Sequence, residues 1–468
     1  MITNKHTMKD LAILFLLTVG LCEMTYSQKV EPFHKGERVA FVGNSITDGG
    51  HYHSYIWLYY MTRFPDQRID IFNCGIGGDC SGDILKRLDD DVFNRNPTTI
   101  FLTFGMNDVG YYDFYKSNAA EIAREKIQKS IDSYQKIEKR LKEQTNARKI
   151  LIAGSPYDET AKFKKEVFPK KNDAILEIVE FQQKNASDNR WGFVDFSRPM
   201  TEINLREQKR DSSYTLCGQD RIHPGNDGHM VMAYLLLKTQ GLAGKEVADM
   251  KIDASQKKVN EVINCEVSEL AITPASVQFN YLAKSLPYPL DTFPEGWMEA
   301  KRQSDAMALV PFMEEFNREM LYVKGLTGKT YTLKIDGAMI GSWPAHKFAE
   351  GLNLASITKT PQYMQAMQVM VLNEERWEIE RRLRSYYWMQ FSFFRDKGML
   401  FADNQAALDT LGKYAPGNIF VAGNKGNYVK SRFKTVRETW NKEMDLLLNE
   451  IYTINKPVSH KMEIVQNN

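Results

Sequence analysis

Five short apolar runs, separated by longer segments of helical periodicity, restrict the fold of this chain more than any other feature. The runs are Arg38–Ser45, Ile69–Cys74, Thr99–Phe104, Lys149–Ser155 and Gly192–Phe196, each rich in Val, Ile, Leu or Phe and giving way to Gly, Ser, Asn or Asp. An apolar run without polar alternation suits a strand buried on both faces, as in a parallel sheet. Between the third and fourth runs, Ile122, Ile127, Ile131, Tyr134, Ile137 and Leu141 fall on one helical face. Asp173–Gln183 and Gly228–Leu237 read as further helices. Strands alternating with helices predict a doubly wound α/β domain of parallel strands. In such sheets the binding crevice lies outside the carboxyl ends of the strands.

After about residue 245 the pattern changes. Lys251 to Leu290 lacks helical periodicity and leads into a Pro-containing loop. Tyr331–Ile335 alternates apolar and polar residues, and Asp336-Gly337 is a hairpin turn. Thr360-Pro361 pairs an N-cap residue with proline at the first helical position. One long helix or two are predicted from there to about Phe394, and another over about Val436–Ile451. The expected organisation is residues 28–244 as the α/β domain, 245–355 as a smaller β-rich module and 356–468 as a helical C-terminal region.

Four segments at predicted strand ends carry chemistry. Gly43-Asn44-Ser45 follows the first strand, where a serine hydroxyl is presented at the sheet edge beside free backbone N–H groups. Asn73-Cys74-Gly75-Ile76-Gly77-Gly78-Asp79 follows the second, and its glycines let the backbone approach a ligand. Gly105-Met106-Asn107-Asp108 follows the third, with a side-chain amide able to donate to a developing oxyanion. Asp220-Arg221-Ile222-His223 precedes the last helix of the domain. Across one tight turn its carboxylate can hold the imidazole Nδ1–H and leave Nε2 to accept a proton. Taken singly, the first three read equally well as plain turns.

In order and spacing, these four segments resemble the SGNH (GDSL-like) hydrolase superfamily over residues 38 to about 243. The resemblance implies a flavodoxin-like parallel five-stranded sheet and a serine esterase. Ser45 would be its nucleophile, His223 its general base and acid, and Asp220 the residue that orients His223. The oxyanion hole would be formed by the N–H groups of Ser45 and Gly78 and the Asn107 side chain. Matching Asn73 and Asp79 to the family block selects Gly78 over Gly77. One departure is Asn44, where the family usually has Asp, and it puts the support of the Ser45 turn in question.

Other residues attract weaker functional readings. His51, Tyr52 and His53 follow the Ser45 turn and could line a substrate lip, but the surface of the following helix is the expectation; His229 and Asp108 are expected in structural roles. The aromatic residues Trp377, Tyr386, Tyr387, Trp388, Phe391, Phe393 and Phe394 have a spacing that suits core packing better than stacking on sugars. No cluster has metal-ligand spacing and no phosphate loop is present, so neither cofactor nor metal is expected. Lys+Arg 61 against Asp+Glu 59 gives no concentrated basic charge for a nucleic-acid partner.

Lys5 and Lys9 precede an apolar stretch, Leu11–Leu21, and Thr25-Tyr26-Ser27 offers a cleavage site, so residues 1–27 read as a signal peptide. The mature protein is then expected to be secreted or periplasmic, without an integral membrane segment. Cys22 offers a lipoprotein alternative, disfavoured by the bulky Leu21 before it. Cys74, Cys80, Cys217 and Cys265 remain, too few for a disulfide scaffold. Free buried thiols are the expectation, with a Cys74–Cys80 pair left open. By family analogy, an exported chain with an added β module suits an acetylesterase acting on carbohydrate, its partner being a small-molecule or polysaccharide ester substrate. The alternatives are a lysophospholipase- or thioesterase-like acylhydrolase, and a non-catalytic carbohydrate-binding surface protein.

Overall fold

The computed structural model describes residues 30–292 and 301–467. The signal-peptide segment and Cys22 lie outside them. The five apolar runs form strands β1 (Arg38–Gly43), β2 (Asp70–Gly75), β3 (Thr99–Thr103), β4 (Arg148–Ala153) and β5 (Gly192–Asp195), all parallel, in the order β2-β1-β3-β4-β5. This is the flavodoxin-like order, with its switch point between β1 and β3. Helices α1 (Ser45–Asp48), α2 (Tyr52–Arg63), α3 (Ser81–Leu85), α4 (Ala119–Glu143), α5 (Lys171–Asn189), α6 (Ser197–Glu207) and α7 (Asn226–Thr239) complete this layer system.

Helix α2 departs from expectation. His51, Tyr52 and His53, predicted on the surface, are only 7%, 1% and 0% exposed, and all twelve residues of α2 are buried. The reason lies far along the chain, where helices from the C-terminal half cover the face that would otherwise meet water. The polar groups of α2 are satisfied from there: Asn373 Nδ2 donates to Ser54 Oγ at 2.8 Å and Asn455 Nδ2 to Met61 O at 2.8 Å.

Two further sheets follow. One has the order β13-β10-β6-β7, from β6 (Ala248–Asp253), β7 (Lys258–Ile263), β10 (Glu319–Lys324) and β13 (Leu352–Asn353). The other has the order β12-β11-β14-β9-β8, from β8 (Cys265–Thr273), β9 (Ser276–Ala283), β11 (Thr330–Ile335), β12 (Ala338–Pro344) and β14 (His460–Gln466). Met250, Ile252 and Leu321 of the first share one apolar core with Phe279, Leu333 and Ile464 of the second, so the two sheets form a sandwich. The short helices α8 (Phe312–Phe316) and α9 (Ala345–Glu350) lie within this part of the chain.

The C-terminal helices are α10 (Pro361–Trp388), α11 (Gln405–Tyr414), α12 (Ile419–Ser431) and α13 (Lys434–Ile454). Thr360 caps α10 by accepting the Tyr363 N–H, with Pro361 at the first position. The stretch expected to be helical to residue 468 instead ends in β14. Its buried His460, Met462 and Ile464 alternate with more exposed residues, and that period of two selects a strand. Among the described residues no helix is long and apolar enough to cross a membrane. The four described cysteines are free, with Cys74, Cys217 and Cys265 buried.

Candidate active site

Three turns and one helix entrance meet at the carboxyl ends of β1, β2 and β3. Asn44 ends the β1 turn as the N-cap of α1, its Oδ1 accepting the Ile46 N–H at 3.0 Å. A neutral amide therefore supports the Ser45 turn. Ser45 follows it, and its Oγ lies 2.7 Å from His223 Nε2. His223 Nδ1 lies 2.6 Å from Asp220 Oδ2. The other carboxylate oxygen accepts the backbone N–H groups of Ile222 and His223 at 2.9 and 3.0 Å. Burial works to raise the pKa of Asp220, but the His223 ring and these N–H groups bring it below the usual carboxylate value. Both ring and carboxylate keep partial exposure, 19% and 16% of their side chains.

The turn that presents this pair is strained and held from the side. Arg221 takes a φ of +69°, which non-glycine residues disfavour. Its buried guanidinium donates to the carbonyls of Asp158 and Ala161 at 3.0 and 2.8 Å and lies over the Phe163 ring. Nothing in the Asp-x-x-His spacing announces that role.

The proposed oxyanion donors are tied to one another. Of the two candidate glycines, Gly78 has a φ of +91° and open space where a Cβ would stand. Asn107 Nδ2 donates to the carbonyl of Asp79, its neighbour, at 3.0 Å, and Asn107 Oδ1 accepts the Tyr111 hydroxyl at 2.5 Å. The Gly77 N–H donates to Asp48 Oδ2 at 2.9 Å, which joins the second turn to the helix that carries Ser45. A side chain at Gly75 would meet Asp48 N at 2.2 Å, so only glycine permits this approach. Asp108 is structural, accepting from Gly105 N, Ser81 N and Ser130 Oγ. Lys171 supports the same loop from below through the carbonyls of Met106 and Gly110, both at 2.6 Å.

The second turn also rests on the C-terminal helices. Strand β2 is an edge strand with open backbone groups. Glu380 of α10 accepts the Asn73 N–H at 2.9 Å, and Arg384 donates to the Gly75 carbonyl at 2.7 and 3.0 Å. Arg384 also binds Asp91 through both oxygens, at 2.7 and 2.8 Å, while Arg87 binds Asp91 and Asp79 at 2.6 Å each. Burial alone would raise the pKa of Asp91, but Arg384, Arg87 and Arg95 drive it far below the carboxylate range. One turn further along α10, Trp388 Nε1 donates to the Gly77 carbonyl at 3.0 Å. Most of the aromatic cluster packs as core, Trp377, Tyr386, Phe391, Phe393 and Phe394 being buried. Trp388 instead reaches the glycine turn.

His229, read as structural, is buried behind the Ser45 turn beside Gly50 and stacked on Tyr52. His51 stacks on Trp377 and pairs with Glu374 at 3.2 Å. His53 lies 3.1 Å from the Thr47 carbonyl. Among the described residues no group of three or more His, Cys, Asp or Glu is placed to hold a metal.

A hydroxyl, an imidazole and a carboxylate in line, beside grouped hydrogen-bond donors, form an arrangement suited to acyl transfer. The chain belongs to the GDSL-like lipase/acylhydrolase family, whose model matches residues 41–231, and is a carboxylic ester hydrolase. Residues 367–456 match a second family, the diltiazem deacetylase C-terminal helical domain. The solved structure of a gut microbial diltiazem-metabolizing enzyme is 50% identical, covers 94% of this chain and 100% of its own, and superposes with a TM-score of 0.92. An acetylxylan esterase from Geobacillus stearothermophilus is 24% identical over 223 residues, which are 44% of this chain and 94% of the relative.

Proposed function

We propose that this protein is an exported acetylesterase in which Ser45 is the nucleophile, His223 the general base and acid, and Asp220 its orienting carboxylate. The relay from Ser45 Oγ through His223 to Asp220, at 2.7 and 2.6 Å, carries the reading. In acylation the Oγ–C bond forms as the Oγ proton passes to His223 Nε2. Collapse of the tetrahedral intermediate breaks the bond to the alcohol, which leaves with that proton. Water then attacks the acyl-enzyme by the same route and frees the acid. The N–H groups of Ser45 and Gly78 and the Asn107 amide are the donors to the oxyanion. Ionised Asp220 stabilises the imidazolium in both steps.

The acetyl group is taken by analogy from the deacetylase family that matches the helical region and from the acetylxylan esterase relative. For the alcohol, similarity to the diltiazem-metabolizing enzyme along nearly the whole chain supports a small-molecule acetate. A carbohydrate acetate is the second reading, supported by the acetylxylan esterase. Export rests on Lys5, Lys9 and the Leu11–Leu21 stretch.

Hydrolysis of p-nitrophenyl esters from acetyl to octanoyl, with fluorophosphonate labelling of wild type and Ser45→Ala, tests the proposal. Acetyl is expected to be preferred and labelling to vanish in the variant. Preference for octanoyl would replace the acetylesterase with a longer-chain acylhydrolase. Equal labelling of the variant would remove Ser45 as nucleophile.

A further inference from the structure

A buried lysine nitrogen stands beneath the loop that carries Asn107. Lys171 opens α5 and is 0% exposed. Lysine is rarely found so deep, and the first turn of a helix, where backbone N–H groups point outward, is the less favourable end for a cation. The nitrogen is held by two carbonyl oxygens and a ring face rather than by a carboxylate. Burial lowers its pKa from 10.5 to about 7 against the pull of Asp108. With or without the extra proton, it has an N–H for each carbonyl. An apolar side chain there would spare the fold this desolvation, so the contacts of the nitrogen, not its burial, give the residue its use.

Those contacts bracket an oxyanion donor. One carbonyl belongs to Met106, the residue before Asn107, and the other to Gly110, the residue before Tyr111. The same nitrogen lies 3.8 Å from the centroid of the Tyr111 ring. Between these points the backbone is a closed turn, in which the Gly110 N–H donates to the Asn107 carbonyl at 3.0 Å and Gly110 takes a φ of +78°. Phe168 packs edge-on against the Tyr111 ring at 5.6 Å between centroids. With the ring so fixed, the Tyr111 hydroxyl donates to Asn107 Oδ1 at 2.5 Å, while Asn107 Nδ2 donates to the Asp79 carbonyl at 3.0 Å. A side-chain amide has two N–H bonds. Once a hydroxyl claims its oxygen and a carbonyl claims one N–H, the amide is kept from turning over. Its second N–H is the one left for an oxyanion.

We propose that Lys171 is a positioning residue for the oxyanion hole. Through the Met106 and Gly110 carbonyls and the Tyr111 ring, it sets the Asn107 amide in the orientation that the tetrahedral intermediate needs. This inference rests on the Ser45 esterase reading above and adds to it a buried residue that acts only through Asn107.

The test uses the full chain and steady-state hydrolysis of methyl acetate. Wild type is compared with Lys171→Met, Tyr111→Phe, Asn107→Ala and the double variant Lys171→Met/Asn107→Ala, with folding checked by thermal melting. Lys171→Met and Tyr111→Phe are each expected to lower kcat about three- to tenfold with KM within about twofold, the size of one hydrogen bond felt in the transition state. In the Asn107→Ala background Lys171→Met should change kcat by less than about twofold, because its route to the oxyanion is already gone. The same factor in both backgrounds would make Lys171 a brace of the fold alone and overturns the proposal. So does a wild-type kcat in Lys171→Met, or a rise in KM with kcat intact. Lys171→Gln, which keeps an N–H for one carbonyl, takes the place of a methionine variant that does not melt cooperatively. If neither folds, the lysine serves folding and the proposal falls. Failure of the esterase reading itself is distinct, since Ser45→Ala would then hydrolyse methyl acetate at the wild-type rate. An inactive Ser45→Ala beside a fully active Asn107→Ala would spare that reading and remove the role of Lys171.

Discussion

Asn107 serves two partners at once, donating to the Asp79 carbonyl while its oxygen is held by Tyr111, so its amide is oriented before any substrate arrives. Asn107→Ala should lower kcat roughly 10²–10³-fold with little change in KM, as expected when a donor acts on the developing oxyanion. Steady-state kinetics on an acetate ester check this, and a rise in KM with kcat intact would contradict it. The histidines behind the Ser45 turn set an acid limit. Burial lowers the pKa of His53 from 6.5 to about 4, and His229 moves the same way. Between these values the unfolded chain binds a proton that the folded chain refuses, so stability is full above about 6.5 and falls as pH drops toward 4. His53 alone costs about 1.4 kcal/mol per pH unit in that window. Urea unfolding from pH 7 to 4.5 should show a shallower decline in His53→Gln than in wild type. Equal slopes would mean that His53 titrates normally.

At the scale of elements, the central feature is the α10 face that carries Arg376, Glu380, Arg384 and Trp388 at every fourth position. Charges at that spacing ordinarily mark a face turned to water. Here Arg376 and Arg384 are 2% and 1% exposed, and Glu380 and Arg384 close the open edge of β2. Arg384→Met removes one partner of the buried Asp91 and leaves its charge short of compensation. A loss of about 3–5 kcal/mol in denaturant unfolding is expected, together with a lower kcat as the Gly75–Gly78 turn loosens. A variant as stable as wild type would show that Arg87 and Arg95 suffice. This stripe also shows where sequence reading reaches its limit. The five parallel strands, the Asp336-Gly337 hairpin, the Thr360 cap and the Asp220/His223 turn were legible because their signals are local. Arg384 and Trp388 act on residues 309 and 311 positions away, and no local pattern separates a buried ionic stripe from a solvated one. The burial of His51–His53 was hidden for the same reason, the covering helices coming from another region of the chain.

For the molecule as a whole, the α/β part does not own its core. Leu286, Tyr288, Phe312, Phe316, Val369, Leu448 and Ile451, all beyond residue 245, are buried in the same apolar cluster as β1 to β5. A chain ending near residue 245 would expose α2, leave the β2 edge bare and strip Asp91 of Arg384. It should be recovered insoluble, or without a cooperative thermal transition, and without activity on methyl acetate. A soluble truncated protein that melts cooperatively and turns over at the wild-type rate would show the helical region to be dispensable.

The position of β14 bears on when this protein can finish folding. Its residues, His460–Gln466, are inserted between β9 and β11 in the middle of their sheet and pair antiparallel with both. Until residues 460–466 are available, β9 and β11 each lack a central neighbour and the sandwich core cannot close. Strands β1 to β5 precede it in the chain, yet the second sheet must wait for residues 460–466. Strand β14 thus serves as a clasp, and the finished architecture is reached only once residues 460–466 have joined β9 and β11.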